Sequence, residues 1–397
     1  MSAPTSRNFV IACATLIAIG FVARLALSWY SIGTNDATVA ALRGEAIAQR
    51  GLFETYRRFP SLNHPPLPML WTVAALRLAR ETGAPFEFIF RLPMNLADAG
   101  SCLLLGRLWR RRAGARLAWL AAGATALSPC AILVSAYHFN TDGLLALLCL
   151  LACALLDRGR FFAAGAALAA AINVKLIPVL LVPPLLAICR TRRGALQFLG
   201  GTALGAVPLL IAWIGTGPAF ARHVLAYNPQ ANRWGVGFVL YELYLNEPTR
   251  RLALDLMRFY FETGRWFILA AVAMLSFFAW RRRSWDVYEL AALTLSIFLL
   301  LTPGFGLQYM GINIPLLLAV SLRTGTLYGL ISGAFLAVAY ASAWTGTVPL
   351  YSFFDGPFAR PAAMIGAAAW GLLAWFTVRT LAGFSRRVSY TPPRDEC

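Results

Sequence analysis

Long apolar runs recur from one end of the chain to the other, parted by short polar stretches. They lie near 8–30, 88–109, 117–137, 142–156, 161–173, 175–189, 195–214, 264–280, 286–302, 308–322, 326–342 and 361–380. A helix of about 17–25 apolar residues spans a bilayer core, so the pattern predicts about twelve transmembrane helices. One further run, 65–82, is ambiguous between a thirteenth span and a helix lying in the interface. It falls inside the first of two long connecting stretches, 31–87 and 215–263. Connections of that length in a compact chain usually carry function.

The arginines settle the ambiguity. With 65–82 in the interface, Arg7, Arg110–Arg116, Arg158/Arg160, Arg190–Arg193, Arg281–Arg283, Arg323 and Arg386/Arg387 all fall on one side, which is then cytoplasmic. If 65–82 spans instead, the Arg110–Arg112 cluster lands outside. Arg77 and Arg80 near the end of the run also suit an interfacial helix better than a buried one. The expected arrangement is therefore an all-α, multi-pass membrane protein with both termini cytoplasmic. It forms one integral-membrane domain over 1–397, with outer loops 31–87 and 215–263 and a cytoplasmic tail at 385–397.

Composition agrees: 59% of the 397 residues are hydrophobic and 13% charged, with a mean hydropathy of +0.64. The formal charge of +18 would suit nucleic acid, but the basic residues cluster between apolar runs as topology signals, which excludes that partner. The first run holds Arg24 and lacks a small-residue cleavage site, so it reads as an uncleaved first helix. Of the seven cysteines only Cys397 lies outside the apolar segments, and their spacing supports neither a disulfide framework nor a zinc site. No repeat or low-complexity tract divides the chain. The same topology places most acids and the histidines His64, His138 and His223 at the outer face, which is where chemistry is expected.

Asp36 leads the candidates, because it follows the first span directly. It precedes an amphipathic stretch, 37–50, so it fits either an N-cap or a general base at the membrane surface. His138-Phe139-Asn140-Thr141-Asp142 forms a very short outer turn. Its polar residues fit helix caps, while His138 and Asp142 fit contacts to a sugar or phosphate. Lys175 is the sole lysine among 35 basic residues. It lies between two apolar runs, where an ionisable group is costly unless paired, hydrated or snorkelling. A lipid phosphate would be a natural partner for it. Gln308 and Tyr309 open the tenth span and can bond sugar hydroxyls, although Tyr309 also fits an interfacial aromatic belt. Arg233, beside Trp234 in the second long loop, offers a phosphate contact.

Together these segments resemble the GT-C superfamily of membrane glycosyltransferases that use polyprenyl-phosphate sugars, above all the dolichyl-phosphate-glucose-dependent glucosyltransferases. Asp36 stands where those enzymes carry an acid after the first helix. Leu62-Asn63-His64-Pro65-Pro66-Leu67 stands in place of their Leu-Asp-Tyr-Pro-Pro-Leu. Pro129 with His138-Phe139-Asn140-Thr141-Asp142 is similar to their Pro…His-Phe-Gln-Tyr-Asn, and Asn173-Val174-Lys175 with Pro183-Pro184 to their Asn-Tyr-Lys…Pro-Pro. The likeness runs in order through the first half of the chain. Asn63-His64 replaces Asp-Tyr, and a late His-Glu-Lys element is absent. Gly306-Leu307-Gln308-Tyr309 looks instead like the Gln-Tyr of polyprenyl-phosphate-mannose-dependent relatives, which leaves the sugar open.

The resemblance implies a GT-C-type helical bundle with juxtamembrane helices in its first outer loop. It implies a hexosyltransferase that takes a polyprenyl-phosphate sugar as donor and a lipid-linked or cell-envelope glycan as acceptor. Asp36 would be the catalytic base, with His64, His138, Asp142, Lys175, Arg233, Gln308 and Tyr309 binding substrate. Transfer would invert the sugar at the external face of the bacterial inner membrane. No cofactor is implied; the scattered acids offer no metal set, and a divalent cation stays an open alternative. The competing reading is a lipid-linked-sugar flippase or a transporter. That would place polar groups near the bilayer midplane and often shows repeat symmetry. Here the polar groups gather at one face.

Overall fold

The computed structural model describes residues 7–60, 62–225, 234–282, 285–354 and 358–383. The first helix, α1 (Arg7–Tyr30), leads into a short extended segment, β1 (Ser31–Thr34). Three helices of the first long loop follow: α2 (Asn35–Arg50), α3 (Leu52–Arg58) and α4 (Pro66–Thr82). Then come α5 (Phe86–Ala113), α6 (Ala115–Ala126), α7 (Pro129–Ala136), α8 (Asp142–Leu156) and α9 (Phe161–Val174). A 3-10 turn at Ile177–Leu181 continues into α10 (Val182–Ala187), α11 (Arg192–Gly205), α12 (Val207–Thr216) and α13 (Pro218–Phe220). The rest comprises α14 (Val236–Tyr244), α15 (Arg250–Arg282), α16 (Val287–Leu301), a 3-10 turn at Leu307–Gly311, α17 (Ile314–Val320), α18 (Leu322–Ser342), β2 (Leu350–Ser352) and α19 (Arg360–Gly383).

All twelve apolar runs are helical, but they are not alike. Five are single helices long and apolar enough to cross a bilayer, and two more qualify as bent pairs, α6–α7 at 47° and α11–α12 at 43°. Each break falls beside a proline, Pro129 or Pro208, as expected where a backbone donor is lost. The other five runs form shorter apolar helices: α8, α9, Ile177–Ala187, α16 and Leu307–Val320. A 14-residue helix is about 21 Å long, against about 36 Å for 24 residues. Short helices packed among long ones place their polar ends inside the depth of the bundle. Three of these five carry the candidate residues Asp142, Lys175 and Tyr309 at or next to one end.

Helix ends sort into two layers. At one, Trp109 donates to the Leu318 carbonyl (2.9 Å), and Arg112 donates to that of Ala319 (3.0 Å) and pairs with Asp286. Arg111 reaches Asp157 at 3.9 Å. The ends of α5, α8 and α17 and the start of α16 therefore meet among the arginine clusters. At the other layer, the ends of α1, α7 and α9 meet the starts of α5 and α8 around Asp36. Helix α4 lies wholly at this second layer. It packs against α2, where Gly44 faces Thr72 and Leu76, and Arg80 pairs with Glu45. Trp71 donates to the Phe90 carbonyl at 3.0 Å, near the start of α5. The run 65–82 thus does not carry the chain across the bundle. Arg386/Arg387 and the tail 385–397 lie outside the described residues.

Two packing devices hold the bundle. Helices α9 and α11 touch backbone to backbone: a Cβ on Gly165 would lie 2.0 Å from the Phe198 carbonyl oxygen, and one on Gly201 2.0 Å from that of Phe162. Close approach through small residues replaces the hydrophobic drive that lipid cannot supply. The second device was not anticipated from the sequence. Arg24, fully buried in α1, pairs with Asp98 of α5 (Nε–Oδ2 2.8 Å) and donates to the carbonyls of Gly20 (3.1 Å), Thr125 (3.3 Å) and Ala126. Removing one partner of such a pair strands a buried charge. Asp98→Ala should therefore cost about 3–5 kcal/mol of stability, read as thermal unfolding in detergent. Combining it with Arg24→Met should recover most of the loss, and an Asp98→Ala variant as stable as the parent would show the pair to be idle.

Candidate active site

The segment Ser31–Thr34 leaves α1 extended and pairs in parallel with Leu350–Ser352. Two helix C-termini, those of α1 and α7, converge here with their last carbonyls unsatisfied by the helices themselves. Arg91 of α5 fills the gap. Its fully buried guanidinium donates to the carbonyls of Ser31 (2.8 Å), Ile32 (2.6 Å) and Tyr137 (2.7 Å), with Ser28 at 3.3 Å. Gly33 sits under this clamp at φ 97°, and a Cβ there would lie 2.0 Å from the Tyr137 oxygen and 2.2 Å from Arg91 Nη2. Only glycine fits both the backbone and the space. Thr34 adds a hydrogen bond from its hydroxyl to the His138 carbonyl, 2.6 Å.

The next turn carries Asp36, in the first turn of α2. The N-cap position belongs to Thr34, and no side chain caps the helix there. Asp36 instead points its Oδ2 at His138 Nε2, 3.3 Å away, within reach of a hydrogen bond. The cap reading of Asp36 gives way to a contact across elements. The Asp36 side chain is 49% exposed and that of His138 6%, so a buried imidazole orients a carboxylate that still faces solvent. Burial works to raise the Asp36 pKa, but the contact with His138 and the positive charge of Lys175 hold it below the ordinary carboxylate range.

The turn between α7 and α8 is itself strained. Phe139 adopts φ 68°, rare for a bulky side chain. Its ring stacks on Phe90 (4.1 Å between centroids) and under Arg91 (5.5 Å). This backbone turn projects His138 to one side and Asp142 to the other. Asn140 caps the start of α8 by accepting from the Asp142 N–H at 2.6 Å.

Asp142 and Lys175 form a buried ion pair, and the Lys175 ammonium also lies 4.1 Å from the Tyr309 ring centroid. Lys175 is thus buried and paired, and half-buried Tyr309 packs its ring against the ammonium. One oxygen of Asp142, Oδ2, has no hydrogen-bond partner among the described residues. His64 precedes α4, and its carbonyl accepts from the Tyr56 hydroxyl at 2.5 Å. Burial, with the charges of Lys175 and Arg43, pushes the His64 imidazole down to about 3, so it contributes a neutral ring. Gln308 is half-buried, its amide folded back over Gly306. Arg233 lies outside the described residues. His223 bonds the Tyr56 carbonyl at 3.1 Å. Among the described residues no three His, Cys, Asp or Glu side chains gather as a metal set.

Asp36 contacts His138, and Lys175 contacts both Asp142 and Tyr309; the two groups are linked by the short turn 138–142 and by the charge of Lys175, which acts on Asp36 and on His64. Sequence reasoning missed Arg91, Tyr340 and Ser352. Arg91 sat inside an apolar run, where its cost alone marks it for attention; Tyr340 and Ser352 gave no local sign.

With this geometry in view, the sequence matches the family model described as Glycosyltransferase family 87 over residues 66–303. The chain belongs to glycosyltransferase family 87. The matched segment includes His138, Asp142 and Lys175, while Asp36, Gln308 and Tyr309 lie outside it. The fold of this glycosyltransferase is similar to ArnT from Cupriavidus metallidurans bound to undecaprenyl phosphate. That match has TM-score 0.53 and 18% identity, covering 96% of this chain and 72% of ArnT. Its apo state gives TM-score 0.51 and 19% identity, over 94% and 71%. A comparison of the sequence with curated proteins finds no match. The family-87 chain is thus a GT-C-type, multi-pass helical membrane glycosyltransferase, as the first-half motifs implied.

A neutral His64 has a consequence for stability. The unfolded residue takes a proton near pH 6.5, whereas the folded one resists it down to about 3. Between those values the unfolded state binds the extra proton, so stability falls as pH drops. The melting temperature should decline from pH 7 to pH 5, and His64→Asn should flatten that decline. An unchanged slope in the variant would contradict the burial of a neutral ring.

Proposed function

We propose that this family-87 enzyme transfers a sugar, a hexose or similar, from a polyprenyl-phosphate donor to a hydroxyl of a lipid-linked or cell-envelope glycan. The observation that carries the reading is the Asp36 carboxylate held against His138 within the electrostatic reach of the buried, Asp142-paired Lys175. Asp36 accepts the proton of the acceptor hydroxyl as that oxygen attacks the anomeric carbon. The bond from that carbon to the phosphate oxygen breaks on the opposite side, so the sugar inverts. Negative charge grows on the departing lipid phosphate, where a fixed cation in a low-dielectric site counts most. Lys175 supplies it, and the buried Asp142 carboxylate holds the ammonium in place.

The donor assignment draws support from the fold, which is similar to a protein solved with undecaprenyl phosphate. It draws further support from the setting: the carboxylate lies at the end of a membrane helix, where an isoprenoid phosphate sits naturally. The site end is opposite the arginine clusters, which by the positive-inside rule makes it external and both termini cytoplasmic, in a bacterial inner membrane. The whole chain then acts as one integral-membrane domain.

The test uses purified protein with short-chain polyprenyl-phosphate sugars and the matching nucleotide sugars. Transfer should require the former. Asp36→Asn should lower turnover roughly 10²–10⁴-fold, the usual contribution of a general base, with folding preserved. Lys175→Gln should raise the donor KM more than the acceptor KM. Activity with a nucleotide sugar alone would overturn the donor assignment, and normal turnover by Asp36→Asn the role of the base.

A further inference from the structure

Beside the Asp36–His138 contact lies a second one on the far side of the ring. His138 Nδ1 is 2.6 Å from the Tyr340 hydroxyl, and both residues are about 95% buried. Tyr340 belongs to α18, two hundred residues away, and nothing in its sequence surroundings marks it. Its own position is fixed: Ser352 of β2 donates to its carbonyl at 2.8 Å and shares a 2.7 Å hydrogen bond with the Tyr137 hydroxyl. Since β2 is paired with β1, the strand that ties down Tyr340 is held against the one that leads to Asp36.

We infer that Tyr340 is a positioning residue that locks His138 in the tautomer presenting Nε2–H to Asp36; this rests on the proposed role of Asp36 as base. A neutral imidazole carries one N–H and one lone pair. If Nδ1 held the proton, the Nε2 lone pair would face a carboxylate oxygen 3.3 Å away, lone pair against negative charge. If both nitrogens held protons, the Tyr340 hydroxyl would lose its acceptor and be buried with an unused proton. One arrangement satisfies every group: Tyr340 O–H donates to Nδ1, and Nε2–H donates to Asp36 Oδ2. The backbone is held as well, through the Thr34 hydroxyl on the His138 carbonyl.

The consequence is directional. With Oδ2 engaged by His138, the other oxygen of the half-exposed carboxylate is left for the acceptor hydroxyl. A second partner that fixes the tautomer of a histidine acting on a carboxylate is a recurrent device in enzymes. Without the Tyr340 hydroxyl the ring can turn its proton to Nδ1 and drop Asp36, or take a second proton and weaken the base. Either outcome reduces turnover and leaves donor binding alone.

Tyr340→Phe removes only the hydroxyl and keeps the ring contacts to Tyr137 and Phe354. It should lower kcat by about tenfold or more, a fraction of what a general base contributes, with the donor KM unchanged. His138→Gln places an amide N–H near the Nε2 position and has no tautomer to fix. In that background Tyr340→Phe should cost no further turnover. Wild-type kcat in Tyr340→Phe while Asp36→Asn is inactive would overturn this inference and leave the base intact. An equal loss from Tyr340→Phe in the His138→Gln background would overturn it too, by showing that the hydroxyl acts elsewhere. Full activity of Asp36→Asn would instead remove the base on which it rests.

Discussion

One buried guanidinium joins the two helix ends from which the site is built. The C-termini of α1 and α7 both present unsatisfied carbonyls, the negative ends of their helix dipoles, and they meet inside the bundle. Arg91 binds the carbonyls just past both ends, those of Ser31 and Ile32 after α1 and of Tyr137 after α7, within 2.8 Å, and reaches the α1 carbonyl of Ser28 at 3.3 Å. Its charge needs no carboxylate partner because the two helix ends supply a diffuse negative one. Gly33 allows the backbone to pass under the clamp, Phe139 covers it by stacking, and Thr34 closes it with a hydrogen bond. Asp36 and His138 come into contact because the backbone leading into each is tied to the same side chain.

A polar seam continues from this clamp into the apolar core. Asn95, one turn on from Arg91, donates to Ser28 at 2.9 Å, and Asp98, a further turn on, takes the Arg24 charge. Arg91, Asn95 and Asp98 thus lie along one face of α5, at spacings of four and three residues that bring side chains together on a helix. That face is turned to α1. A polar stripe on a membrane helix is costly unless its charges find partners, and here α1 and the segment that follows it supply most of them. The same logic governs Asp142 and Lys175, which would each be costly alone and are joined across α8 and α9.

Much of this was legible in the sequence. Apolar length located twelve runs that are all helical, five of them long enough to cross a bilayer as single helices and two as bent pairs, and the expected interfacial run 65–82 is a helix packed on α2. Asp36, His138, Asp142 and Lys175 were found because ionisable residues at span ends are rare and costly. What escaped was what depends on distant pairing. Arg24 read as a mark of an uncleaved helix, since its partner Asp98 lies 74 residues on. Tyr340 and Ser352 reach the site from the last third of the chain through a two-stranded pairing too short for a periodicity signal. The short length of α8 and α9 was visible as short apolar runs. Its meaning, a recess that buries polar helix ends, emerges only when long neighbours are packed around them.

The central claim is that the Asp36–His138 contact and the Lys175–Asp142 pair form one site for a lipid phosphate and the sugar it carries. Its most direct test is an experimental structure of the purified protein with a short-chain polyprenyl phosphate. Phosphate density is expected beside the Lys175 ammonium, facing Asp36, with the isoprenoid chain leaving between helices toward lipid. Density for the phosphate at the arginine-rich end, near Arg111 and Arg112, would contradict it.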